Sequence, residues 1–256
     1  MHAIITGASS GIGEALAVEL HRAGYRLTLV ARRTELLEAL AARLGGDIAC
    51  VRADLSDLDA AVAWLPAAEA RHGPVELLVN NAGVQYVEPA LGVDDTRAEA
   101  LLRLNYAAPT RLMRRVAGGM VERGRGAIVN ISSMGGLTAT PLMADYCASK
   151  AALAQYSETL REELEPHGVH VLTVYPGPVH TPMERAAREK LESEVADLIP
   201  SGEPAELARE IREAVEDRAP RLIYPSVYRV GYWFRVTSQW LTNRFAPRPD
   251  LARRAR

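Results

Sequence analysis

Thr6-Gly7-Ala8-Ser9-Ser10-Gly11-Ile12-Gly13 is the stretch whose reading decides the fold of this 256-residue chain. Before it, His2-Ala3-Ile4-Ile5 reads as a short buried strand. After it, Ala15, Leu16, Val18 and Leu20 recur at helical spacing between Glu14 and Arg22. A strand, a glycine turn and a helix present backbone N–H groups and a helix N-terminus to a phosphate. Gly7 is placed to take positive φ, Gly11 to clear room for a pyrophosphate, and Gly13 to let helix and sheet pack closely. The spacing is G-x3-G-x-G rather than the commoner G-x-G-x-x-G, and structural turns use the same residues.

Working outward, the same alternation continues. Strands are expected at Tyr25–Ala31, Asp47–Val51, Val75–Val79, Ala127–Ile131, Val169–Tyr175 and Arg221–Tyr224. Between them fall a Leu36/Leu37/Leu40/Leu44 helix ending at Gly45-Gly46 and a helix opened by the capping box Ser56-x-x-Asp59. A long helix is expected over about Thr96–Val116, and others over Ala144–Leu164 and Ala205–Glu216. Short apolar strands alternating with helices predict an α/β fold, a doubly wound parallel sheet of about seven strands with helices on both faces. Ligands of such sheets bind at the carboxyl ends of the strands, and every motif below falls at one of those ends. The expected organisation is one domain over 1–224 and a C-terminal amphipathic extension over 225–256.

Composition narrows the classes. With 48% hydrophobic residues, 24% charged residues and a formal net charge of -2, the chain reads as an ordinary globular domain and not a nucleic-acid binder. No apolar run is long enough to span a bilayer, and the first strand starts beside Met1, so a cytoplasmic location is expected. Cys50 and Cys147 read as reduced, packed thiols. The six histidines show no metal-ligand spacing, and His167 and His170 are expected to be solvated.

Three features carry chemistry. Tyr146 and Lys150 lie four apart on a predicted helix, so phenol and ammonium share a face, and a neighbouring cation favours phenolate. A tyrosine so tuned passes a proton to or from a substrate oxygen, although most such pairs decorate surfaces. Ser132-Ser133 follows the strand ending at Ile131, where a hydroxyl either meets a substrate carbonyl or caps a turn. Asn105 interrupts a leucine-rich helix one turn before Pro109, which marks either a kink or a solvent-facing amide.

Taken together, Thr6-Gly7-x-x-x-Gly11-x-Gly13, Asn80-Asn81-Ala82-Gly83, Ser133, Tyr146-x-x-x-Lys150 and Pro176-Gly177 resemble the short-chain dehydrogenase/reductases, in that family's order and spacing. The resemblance runs from Met1 to about Tyr224 and implies a Rossmann-like oxidoreductase that interconverts a carbonyl and an alcohol. It implies that Tyr146 is the acid/base and that Lys150 holds the nicotinamide ribose and lowers the tyrosine pKa. It further implies that Ser133 orients the substrate oxygen and that Asn105 supports a water linking Lys150 to solvent. The cofactor-binding set it implies is Gly7, Ser9, Ser10, Gly11, Ile12, Gly13, Asp54, Leu55, Asn81, Ala82, Gly83, Tyr146, Lys150, Pro176, Gly177, Val179 and Thr181. Asp54 would reach the adenine edge, or else serve as an ordinary turn residue. Where an NAD-selecting site carries an acid, this chain has Ala31 followed by Arg32 and Arg33, which suits the 2′-phosphate of NADP(H), with Arg32 the stronger contact.

Past Pro176-Gly177-Pro178-Val179-His180-Thr181, the polar stretch 177–203 resembles the family's lid, with His180 pointing outward. A small-molecule carbonyl or alcohol partner and a homo-oligomer, dimer or tetramer, are expected. The extension departs from the family pattern. Val230, Trp233, Phe234, Trp240 and Leu241 fall on one helical side, with Arg235, Ser238, Gln239 and Thr242 opposite. Its first reading is a helix packed on its own domain or on a dimer partner. Others are a cap over an apolar pocket or an interfacial membrane helix, flanked by Arg229, Arg235 and Arg244, while Arg253-Arg254-Ala255-Arg256 reads as a solvated tail. A non-catalytic dinucleotide sensor or scaffold is the alternative function.

Overall fold

A computed structural model describes residues 1–191, 200–234, 236, 237, 239, 240 and 244. Its strands are β1 (His2–Thr6), β2 (Arg26–Ala31), β3 (Ile48–Arg52), β4 (Leu77–Asn80), β5 (Gly126–Ile131), β6 (Val169–Pro176) and β7 (Arg221–Tyr224). They form one sheet in the order β3-β2-β1-β4-β5-β6-β7, with every neighbouring pair parallel. The winding therefore reverses between β1 and β4, and there the loops leaving the strands part to open a crevice. Parallel strands covered on both sides bury every residue, as in all of β1 and all of β6.

The helices are α1 (Gly11–Arg22), α2 (Thr34–Leu44), α3 (Ala60–Ala63), α4 (Leu65–His72), α5 (Asp95–Leu102), α6 (Ala108–Glu122), α7 (Ala144–Leu164), α8 (Pro182–Leu191), α9 (Pro204–Glu216) and α10 (Arg229–Trp233). One core joins Ala3, Ile5, Leu77 and Val79 to Leu16 and Leu20 of α1, Leu37 of α2, and Leu207 and Ile211 of α9. The other joins Ile4, Leu78 and Ile128 to Leu65 of α4, Leu112 and Met113 of α6, and Leu153 of α7. The period of two along each strand thus deals side chains alternately to the two cores. Each fully buried aliphatic side chain contributes roughly 1.5–3 kcal/mol, and this double layer is what holds the sheet.

Four expectations are revised. The helix expected over Thr96–Val116 is broken: α5 gives way to a π turn at Arg103–Ala107 before α6 begins. Pro109 has no N–H to give the Asn105 carbonyl, so regular α bonding cannot cross this point. Ser56 does not cap its helix. Asp54 Oδ1 accepts from the N–H and hydroxyl of Ser56, and Asp57 Oδ1 accepts from the N–H groups of Asp59 and Ala60. Asp59 is drawn off to Arg111, at 2.9 Å, and the helix stops after Ala63 and resumes as α4.

The apolar side of the extension does not pack on its own domain. Tyr228, Tyr232 and Gln239 make the inward contacts, while Val230, Trp233, Phe234 and Trp240 are exposed. The underlying surface explains this: it offers the Tyr175 ring, the Arg221 guanidinium and backbone polar groups, which suit tyrosine and glutamine better than bare hydrocarbon. Arg235, Ser238, Leu241, Thr242 and the tail from Arg253 lie outside the described residues, as does 192–199 of the expected lid.

His167 is exposed as expected, but His170 is not: it sits buried in β6, and burial pulls its pKa from 6.5 to about 4. The Nε2 atom has no hydrogen-bond partner among the described residues. A histidine whose folded pKa is depressed favours the folded state above its unfolded pKa and costs stability as pH falls below it. Between pH 6.5 and 4 this one residue forfeits up to roughly 3 kcal/mol. Thermal melts across that window are therefore expected to fall less steeply for His170→Leu than for wild type, with little difference above pH 7. Parallel melting curves would show that His170 does not couple folding to protons.

Candidate active site

Thr6, the last residue of β1, ties the crevice together. Its hydroxyl donates to the Val79 carbonyl at 3.2 Å and accepts from the N–H groups of Asn81 and Ala82 at 3.0 and 3.1 Å. Asn81 answers from the other side, its amide donating to the carbonyls of Thr6 and Gly7 at 3.0 and 3.2 Å. The glycine turn is thus bolted to the end of β4. Gly7 adopts φ +66°, and a Cβ there would lie 2.8 Å from the Ala82 backbone. Behind the turn, a Cβ on Gly13 would lie 2.4 Å from the Gly7 carbonyl oxygen, so only glycine lets α1 start this close to the sheet. Gly11, at φ +62°, faces Thr181 across the crevice.

At one end of the crevice the Arg33 guanidinium donates to the hydroxyls of Ser9 and Ser10 at 2.9 and 3.0 Å. Arg32 lies close enough to Asp54 to help hold its carboxyl below the usual range, behind the larger effect of the hydrogen bonds from Ser56. Asp54 is both a turn residue and, with Leu55, part of the crevice wall.

At the other end, Ser132 and Ser133 leave β5 in different directions. Ser132 is buried, its hydroxyl on the Lys150 carbonyl at 2.8 Å, which pins β5 to α7. Ser133 caps a 3-10 turn, accepting from Gly135 N–H at 3.0 Å, and its hydroxyl and the Tyr146 ring both border Gly135, at 3.4 and 3.5 Å from where a Cβ there would sit. Burial raises the Tyr146 pKa, and the nearby Ser133 hydroxyl offsets part of that rise. Lys150 is 4% exposed; its Nζ donates to the Ile131 carbonyl at 2.8 Å and lies 5.9 Å from the centre of the Tyr146 ring. Burial without a carboxylate partner lowers its pKa to about 8.

Gly83 passes directly over Lys150: a Cβ there would lie 3.3 Å from Lys150 Nζ and 3.1 Å from Asn105 Oδ1. Asn105, 1% exposed and not solvent-facing, accepts from Val84 N–H and donates to the Val84 carbonyl, each at 2.9 Å, and to Ser149 Oγ at 3.0 Å. It holds the loop after β4 against α7 from beneath.

One cavity of about 780 Å³ joins both ends. Gly7, Ser9, Ser10, Gly11, Ile12, Arg32, Arg33, Asp54, Leu55, Asn81, Ala82, Gly83, Ser133, Tyr146, Lys150, Pro176, Gly177, Val179 and Thr181 all line it. Gly13 and Asn105 do not; they support the wall from behind. His180 is exposed, 3.7 Å from Glu203. The lining also includes groups that reading along the chain did not single out. Glu184 and Arg188 form an ion pair on α8, and Tyr228 packs its ring where a Cβ on Gly177 would come within 2.7 Å. Glu184 and Arg188 fall within the expected lid and Tyr228 within the extension that one reading made a cap, but no motif marks these individual residues. Met134, Met143 and Met183 make the part of the wall beyond Tyr146 apolar.

The arrangement fits a dinucleotide. The backbone at the start of α1 would hold a pyrophosphate, two guanidiniums stand at one end of the cavity, and a phenol beside an ammonium stands at the other. Residues 1–192 match the short chain dehydrogenase family model. A fatty acyl-CoA reductase of Mycobacterium tuberculosis is 43% identical over 188 residues, which cover 70% of this chain and 63% of that protein. D-erythrulose reductase of Gallus gallus is 41% identical over 184 residues, covering 72% of this chain and 73% of that protein. Among solved structures, a short-chain dehydrogenase from Sphingobium yanoikuyae in complex with NADPH superposes with a TM-score of 0.80 at 33% identity, over 97% of this chain and 96% of that one. The chain belongs to the short-chain dehydrogenase family and is an oxidoreductase of carbonyl/alcohol substrates with NAD(P)H as its cofactor.

Proposed function

We propose that this chain interconverts an apolar ketone or aldehyde and its alcohol with NADP(H), using Tyr146 as acid/base, Ser133 to hold the substrate oxygen and Lys150 to stabilise the phenolate. The observation that carries the reading is that Ser133 and Tyr146 flank Gly135 on one cavity wall, with the buried Lys150 ammonium 5.9 Å from the Tyr146 ring. When bound, the nicotinamide supplies or accepts the hydride. In the reductive direction the Ser133 hydroxyl and the Tyr146 phenol both meet the carbonyl oxygen, and the phenol gives up its proton as negative charge grows there. Burial keeps Tyr146 protonated until that moment. Lys150, with its pKa near 8, then carries a proton that exchanges at working pH and sits where its charge favours phenolate. Asn105 positions Lys150 through Ser149 and the Gly83 loop. Its own carbonyl, which Pro109 cannot satisfy, is offered to a water between Lys150 and solvent.

The preference for NADP(H) rests on Ala31, Arg32 and Arg33 where an acid would select NAD. Of the two guanidiniums, Arg33 is the better placed, because it already bridges the two hydroxyls beside the turn. The apolar lining by methionines favours a hydrocarbon substrate, in line with the relative named for fatty acyl-CoA more than with the one named for a small ketose.

Two experiments test this. Tyr146→Phe keeps the ring and removes the transferable proton, so kcat is expected to fall by about three orders of magnitude while the NADPH Kd stays within about twofold. Turnover near the wild-type rate would remove Tyr146 from the role. Arg33→Asp and Arg32→Asp, made separately, are each expected to move the ratio of kcat/KM for NADP over NAD toward NAD. The shift should be about ten- to a hundredfold for Arg33 and smaller for Arg32. An unchanged ratio in both would mean that selection lies elsewhere in the cleft.

A further inference from the structure

Within the fourteen residues from Val227 to Trp240 the chain shows solvent six large apolar side chains: Val227, Val230, Trp233, Phe234, Val236 and Trp240. Eleven such residues are exposed among those described, so one short segment supplies more than half of them. The exposure is held in place from the inner side. The Tyr228 hydroxyl donates to the Pro200 carbonyl at 2.9 Å, and the Tyr232 ring lies against Tyr175 and Arg221. Gln239 makes a two-point contact with the Ala139 backbone, at 2.7 and 3.2 Å. Trp233, 77% exposed, and Val236, 85% exposed, could be buried on the domain only by breaking these contacts.

Charge and composition say what such a face meets. Residues 225–256 contain seven arginines, no lysine, one aspartate and no glutamate. The chain's 30 Lys and Arg and 32 Asp and Glu therefore leave 23 and 31 for residues 1–224, an acidic body with a basic extension. The extension also holds both phenylalanines and two of the three tryptophans of the chain. A two-fold pairing through this face would set arginine against arginine with almost no acid to answer. A bilayer carrying anionic headgroups answers the charge, its interfacial zone accepts tryptophan, and arginine heads stay in the headgroup layer. No helix among the described residues is long and apolar enough to cross a membrane, so the contact is with one leaflet.

We propose that the 227–240 segment docks this protein on an anionic lipid surface, with the cavity mouth beside the bilayer. Tyr228 and Gly231 of the same segment line the cavity, and Met183, itself exposed, lines the same cavity. An apolar substrate held in the leaflet therefore meets the site at the membrane boundary instead of crossing water. The docking claim stands on the surface alone and does not depend on which residue moves the proton or which cofactor is preferred.

The test is flotation of the full chain with phosphatidylcholine vesicles, with and without phosphatidylserine, beside the triple variant Trp233→Ser, Phe234→Ser, Trp240→Ser. Wild type is expected to float with the anionic vesicles and about tenfold less with neutral ones or in high salt. The variant is expected to stay in solution while keeping its NADPH affinity and circular dichroism. In parallel, tryptophan emission of the wild type should shift to the blue and be quenched by brominated phospholipid. This readout stands even if the variant does not fold. Equal flotation of both proteins, no flotation of wild type, or no quenching would overturn the proposal. So would a wild-type dimer that the variant makes monomeric without any lipid binding, which would assign the face to a second copy of the chain.

Discussion

The Thr6 hydroxyl, shared between the Val79 carbonyl and the N–H groups of Asn81 and Ala82, is the contact on which the rest of the molecule leans. It lies at the point where the sheet changes direction of winding, so it is buried beneath the loops that diverge to make the crevice. A residue here must close the hydrogen-bond account of two strand ends that no further ladder can satisfy. Threonine does so with one atom that both donates and accepts, and the Asn81 amide completes the task from the opposite side. Because both glycine turn and β4 loop hang from this knot, the phosphate-facing backbone and the loop over Lys150 keep a constant spacing.

A second constraint runs through α7. Its polar side is buried, which is unusual for a helix with apolar neighbours, and every group on it is matched. Ser157 bonds Thr173 and the Asn130 amide, and Asn130 in turn accepts from Asn80 at 2.8 Å, linking α7 to three central strands. Ser149 reaches Asn105, and a Cβ on Gly136 would strike the Lys150 backbone at 2.9 Å, so the 3-10 turn after β5 is pressed onto the same helix. Satisfied networks of this kind rigidify what they join. Tyr146 and Lys150 therefore ride on a helix tied along its length to the sheet, and Ser133 directly follows the strand that Ser132 pins to that helix.

The periphery follows different rules. Here α8 carries the Glu184–Arg188 pair over the crevice, and the segment after β7 presents tyrosines inward and hydrocarbon outward. These parts lie outside the two main cores, and the segment after β7 meets the sheet only through a small cluster in which Tyr228 and Tyr232 pack on Tyr175 and Ile223. The glycine turn and α7 form the inner wall of the cavity, whereas Tyr228 belongs to its outer edge.

Much of this was legible along the chain. Apolar runs of strand length separated by helical periodicity specify a parallel sheet, because burial on both faces removes polar alternation, and α7 was delimited at Ala144 and Leu164 by its pattern alone. Tyr146, Lys150, Ser133 and the glycines are local motifs, and local spacing carries over directly into a shared face or a turn. What the chain in one dimension could not contain is what distant segments do to each other. Nothing near Ser56 announces that Asp57 takes the cap, and the expected strand Val169–Tyr175 already held His170, whose burial follows from the cover on both faces of that strand. Arg33 bonds Ser9 and Ser10 only because the turn brings their hydroxyls within its reach. The direction in which Trp233 and Trp240 face was likewise open: periodicity groups side chains on a face, but only the surface beneath, here a ring, a guanidinium and a stretch of backbone, decides whether that face turns in or out.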